Sequence, residues 1–314
     1  MQIWAIIVDS FRDAIYRKIF WIMLFIGVVI AATMACIGFD EKGVNVLFGA
    51  WTYEAQEWSI ASDELRANVA AVAVEVLADT YLGWIGMIVA LVATAATFPS
   101  LMAPGHIDIV ASKPLSRHML FVGRYLGAMV FVLLQAVVFV GLTFCVMGLR
   151  WHVWVWGYLW VVPLMLLLFS YLFAFCALFG VWTQRSMTAL MLTMVAWFFL
   201  FTVQTGHALL VTQPEIDPSG RWTRMMAVAR WAVPKTQDIP IIASKLVGAN
   251  MFVDMIPVNA HQMPEHEREG FKQAVKGHKR IVAAVDPLTS ITSSLAAEAV
   301  ILLLAMWRFN RRDF

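Results

Sequence analysis

His261, His266 and His278 share one stretch of the chain with Met251, Met255 and Met263. Imidazole and thioether donors suit copper or zinc. Their spacing closes no ligand set, and the 18 methionines are spread along the whole chain, so no metal centre is expected. Cys36, Cys145 and Cys176 each sit inside an apolar run. They are spaced neither as a metal knuckle nor as a disulfide framework, and read as small buried apolar residues. Glu298 is the exception among the apolar runs, a carboxylate where charge is costly. It faces a substrate path or dimer seam, or else a hydrated vestibule without specific role. His207 reads as an interfacial histidine, and Gln135 and Gln204 as polar interruptions. No nucleophile stands beside a base, HExxH is absent, and no glycine-rich phosphate loop ends in Gly-Lys-Ser/Thr. The chain is therefore expected to be non-catalytic, with no cofactor of its own and no nucleic-acid partner.

These residues must be positioned by elements built for a bilayer. Of 314 residues, 61% are hydrophobic and only 14% charged. A soluble domain is nearer half apolar and about a quarter charged. Fourteen tryptophans fit the same class, because Trp concentrates at membrane interfaces. The pattern predicts an all-α polytopic membrane protein with six spans, near 19–39, 82–103, 121–147, 153–182, 187–211 and 288–309. Asp286-Pro287 supplies a cap and an N1 proline for the last of them. Basic residues gather before the first span (Arg12, Arg17, Lys18), after the second (Lys113, Arg117, Arg124), between the fourth and fifth (Arg185) and in the tail (Arg308, Arg311, Arg312). The positive-inside rule then places both termini in the cytoplasm, and the expected location is the cell inner membrane. The first outer loop is acidic. A long outer loop, 212–286, holds a candidate interfacial helix at 221–232 and a charged helix at 265–285.

Two cytoplasmic segments stand out. Residues 3–18 place Trp4, Ile7, Val8, Phe11, Ala14 and Ile15 on one helical face, and Asp9, Arg12, Asp13, Arg17 and Lys18 on the other. This is an amphipathic helix in the interface plane, either an elbow that transmits movement or a plain anchor. Residues 104–129 are polar at first, punctuated by Pro104, Gly105 and Pro114, and basic before the next span. On composition alone they also read as an ordinary inside loop.

The run SKPLSRHMLFVGRYLG, residues 112–127, resembles the loop-to-third-span signature of ABC-2 type transporter permeases. The opening IWAIIVDSFRDAIYRKIFWIMLF is similar to that family's interfacial helix and first span, and WRFNRRDF to its basic tail. The subgroup it resembles contains the permease of the nitrous oxide reductase maturation system, where WAVPKTQDI, residues 231–239, also has a counterpart. The resemblance implies a single transmembrane domain over 1–314. It would form half of a homodimeric or heterodimeric pore, with a cytoplasmic ABC ATPase that carries ATP and Mg. It implies ATPase coupling through 104–120, with His106, Ile107, Asp108, Lys113, Pro114, Ser116, Arg117, Gly123 and Arg124 as contacts, and export as the direction. Relatives carry an acidic turn with Arg or Thr where this chain has Pro104-Gly105-His106-Ile107-Asp108. The competing expectations are an ATP-independent channel or carrier, and a membrane-embedded enzyme or assembly factor.

Overall fold

The computed structural model describes residues 12, 18–40, 43–47, 50–54, 70, 73–74, 76–102, 116–217, 219–247, 280 and 282–311. Helix α1 is Lys18–Cys36, and it runs directly into strand β1, Ile37–Asp40. Strands β2 (Gly43–Val46) and β3 (Trp51–Glu54) complete a three-stranded antiparallel sheet in the order β1-β2-β3. Asp40 pairs with Gly43, and Val46 with Trp51. A π-helical segment, Leu77–Gly86, leads into α2 (Met87–Thr94) and α3 (Thr97–Leu101). The longest helix, α4, is Arg117–Arg150. A 3₁₀ turn at Trp156–Trp160 precedes α5, Val161–Thr183, and α6 is Ser186–Thr212. Short helices α7 (Arg221–Ala232) and α8 (Asp238–Val247) follow, and α9 is Pro287–Asn310.

Among the described residues, five helical stretches are long and apolar enough to cross a membrane: Gly83–Leu101, Arg117–Arg150, Trp156–Thr183, Ser186–Thr212 and Pro287–Asn310. Each matches an expected span to within a few residues. The first expected span is shorter than predicted, an apolar helix over Phe20–Cys36, because the chain turns into β1 at Ile37. The short sheet is a local addition to a chain that is otherwise helical, as expected. Val44, Val46, Trp51 and Tyr53 are β-branched or aromatic residues, which fit a pleated surface.

The helix ends follow from local chemistry. Ser116 caps α4, its hydroxyl accepting from the Met119 N–H at 3.3 Å. Asp286 caps α9 by accepting from Thr289 N–H at 3.2 Å, with Pro287 at the first helical position. Between α5 and α6 the chain reverses in two residues, with Gln184 left-handed at φ 56°. Hydroxyls inside the helices bond back to carbonyls one turn earlier, as Thr94, Thr143 and Thr193 do, so they need no water.

Helix α5 is the centre of the bundle. Phe169, Tyr171, Leu172, Phe173, Ala174 and Ala177 are wholly buried, and α4, α6 and α9 pack around it. Apolar side chains also cover the outside. Met187, Met191, Val195 and Phe198 form an exposed stripe on α6, and Val300, Leu303, Leu304 and Trp307 one on α9. Such unpartnered apolar faces are costly in water and suited to lipid. The chain is a multi-pass, predominantly helical membrane protein.

Candidate functional site along the last helix

Ser290, Ser294 and Glu298 recur every four residues on α9, so they share one face. All three are buried. They mark two of the three polar tiers that tie α9 to the rest of the bundle.

At one end, the start of α4 grips the end of α9. Arg117 Nη1 donates to the Asn310 carbonyl at 3.0 Å, and Asn310 Nδ2 lies 3.2 Å from a His118 ring nitrogen. Beneath this contact the rings of Phe98, Phe121, Phe173 and Phe309 meet, with centroids 4.7 Å apart for Phe98–Phe121 and 5.9 Å for Phe121–Phe309. The cluster joins α3, α4, α5 and α9.

The middle tier is Glu298. Tyr125 Oη, on α4, donates to Oε1 at 2.8 Å, and Ser170 Oγ, on α5, lies 3.1 Å from Oε2. Tyr125 is in turn 3.1 Å from the Ser170 carbonyl. Three helices therefore converge on one carboxyl inside the bundle.

The outer tier is built from the segment after α7. Helix α7 starts at Gly220, whose φ of 62° suits glycine, and Asp217 accepts from the Thr223 N–H at 2.9 Å. These N–H and hydroxyl donors hold the Asp217 carboxyl below its usual range. From there α7 packs back along α6: Met226 lies against Gly206, and Arg230 Nη1 is 3.5 Å from His207 Nδ1. The chain then turns at Pro234 and enters the bundle, with Lys235, Thr236, Asp238 and Ile239 all buried.

Gln204 holds this turn from α6. Its Nε2 donates to the Pro234 carbonyl at 3.1 Å, and its Oε1 accepts from Gln237 N–H at 2.8 Å. Ser294 accepts from Lys235 N–H at 2.9 Å. Gln204 lies eight residues before Thr212, so the turn sits about 12 Å short of the end of α6. Non-helical backbone at membrane depth survives only where its polar groups are satisfied by protein. Gln204 and Ser294 supply that satisfaction. Asp238 completes the tier: it accepts from Arg230 Nη2 at 2.5 and 2.7 Å and from Ser290 Oγ at 2.6 Å. A cleft beside it is lined by Gln204, His207, Arg230, Asp238, Ile241 and Val285.

The sequence-predicted residues divide as follows. Trp4, Phe11, Arg17, His106, Ile107, Asp108, Lys113 and Pro114 lie outside the described residues, as do His261, His266 and His278. Arg12 and Lys18 are helical and exposed. Ser116 and Arg117 are exposed at the mouth of α4, whereas Gly123 and Arg124 are buried within the bundle. Sequence reasoning missed Tyr125, Ser170, Arg230, Lys235 and Asp238. It also missed Ser290 and Ser294, whose four-residue spacing with Glu298 was the usable signal. The three cysteines are free thiols. No protein-family model and no curated protein matches the chain.

Proposed function

We propose that this chain is the membrane-spanning permease subunit of an ATP-driven, ABC-2 type exporter, with ATP hydrolysed on a separate cytoplasmic ATPase. The observation that carries the reading is the junction of the 112–127 signature with α9. The described part of that signature begins at the capped, exposed opening of α4, and Arg117 and His118 fasten it to Asn310. A partner pressing on the loop before Ser116 would move α4 and α9 as one unit. The aromatic cluster beneath would pass that motion to α3 and α5. The apolar helices, the basic ends and the absent phosphate loop fit the same division of labour. In this reading six helices cross the inner membrane, both termini are cytoplasmic, and two permease copies form the pore.

Purification of the full chain from its native membrane in mild detergent tests this. An ATPase with a phosphate loop should co-isolate in stoichiometric amount, and the preparation should hydrolyse ATP. A pure, functional chain with no such partner would overturn the proposal. Ion flux through liposomes containing this chain alone would favour a channel.

A further inference from the structure

Lys235 is the charged side chain that the outer tier leaves over. It is 6% exposed, yet its ammonium meets no hydrogen-bond acceptor among the described residues; it lies over the Trp231 ring, 4.4 Å from the centroid. Asp238, the carboxylate nearest in sequence, is already committed on both oxygens to Arg230 and on one also to Ser290. The tier thus holds two cations, Arg230 and Lys235, against one carboxylate. Buried charge is ordinarily paired, so a buried cation in excess of its carboxylate marks a candidate anion site. Trp231, which supplies the platform, is itself 62% exposed.

The backbone fixes this placement. Lys235 N–H is held by Ser294, and the neighbouring Pro234 carbonyl by Gln204. The turn that carries Lys235, between α7 and α8, is therefore held between α6 and α9. We infer that Lys235, on its Trp231 platform, is the anchor of an anion site that takes a phosphate-class group, carried either by a lipid headgroup or by a small solute. Such an anion would neutralise the surplus cation, with the indole face covering one side of the ammonium. The binding claim concerns the chain alone and does not use the ATPase. As a statement that the exporter's cargo is anionic, it rests on the permease reading above.

The test uses the full solubilised chain without any ATPase, so failure of the coupling reading does not affect it. Thermal unfolding is followed while titrating sodium phosphate, short-chain phosphatidylglycerol or short-chain phosphatidylcholine, each at matched ionic strength. A saturable rise in melting temperature is expected with at least one anionic probe and not with phosphatidylcholine. Lys235→Met should weaken its apparent affinity by about tenfold or more, and Lys235→Arg should largely preserve it. Lys235→Gln serves as a second neutral variant should the methionine protein fold poorly. Response to phosphatidylglycerol alone assigns the site to lipid; an equal response to inorganic phosphate assigns it to a solute. No saturable response to either anion, or an unchanged affinity in both neutral variants, would overturn the inference.

Discussion

At the residue scale, two buried ionisable groups are handled in opposite ways. Glu298 receives hydroxyl partners from two helices, whereas Lys235 receives an aromatic face and no carboxylate. Glu298→Ala should therefore cost about 1–3 kcal/mol, because Tyr125 and Ser170 lose a buried partner. Glu298→Gln, which keeps two polar atoms in place, should cost less; thermal unfolding in detergent measures both. Lys235 gives a signed pH dependence. Burial, reinforced by Arg230 and opposed by Asp238, pulls its ammonium below the usual lysine range. Between that lowered value and about 10.4, the unfolded chain binds more protons than the folded one, so stability rises with pH across this alkaline window. Below the lowered value the penalty is present in full. Unfolding curves for Lys235→Met should lack the rise, and an undiminished rise in that variant would show that another group is responsible.

At the element scale, the helices were legible in the sequence and the backbone between them was not. Long apolar runs have one physical solution in lipid, so five spans agree with their expected positions within a few residues. Residues 221–232 were equally legible, because Trp222, Met225 and Met226 share one helical face, and Trp222 and Met225 are exposed on α7. The return of residues 233–238 into the bundle was not legible. It depends on Gln204, thirty residues earlier, and on Ser294, nearly sixty later, meeting the same turn. Nothing local announces such a pairing; Gln204 in isolation looks like an imperfection in an apolar helix. The sheet at 37–54 was missed because acidic residues drew attention to charge rather than to the alternation of Val44, Val46, Trp51 and Tyr53. The latch makes a definite prediction. Gln204→Ala strips partners from the Pro234 carbonyl and the Gln237 N–H, and should destabilise the protein by about 1–3 kcal/mol. Protease sensitivity should appear first within 233–238, with α4 and α5 still protected. Uniform loss of protection would mean that Gln204 supports the whole bundle instead.

At the scale of the whole molecule, α9 is a rod fastened at three heights. Asn310 meets the opening of α4, Glu298 meets α4 and α5, and Ser294 and Ser290 meet the re-entrant turn. Its 24 residues span about 36 Å, so the rod connects the two ends of the bundle. A push at Arg117 is thereby linked to the turn that carries Lys235. Breaking the lower fastening should uncouple the ends while sparing the fold. Arg117→Ala with Asn310→Ala should leave the melting temperature within a few degrees, since exposed contacts contribute little, yet reduce transport-linked ATP hydrolysis severalfold. Equal hydrolysis in the double variant would remove this junction from the mechanism.

The central claim is that a separate ATPase docks at the loop leading into α4. A photo-crosslinking amino acid placed at position 117 in cells reads this directly, with position 222 on α7 as the control. The account predicts a crosslink from 117 to a nucleotide-hydrolysing chain and none from 222. No ATPase adduct at 117, or the same adduct from both positions, would contradict it.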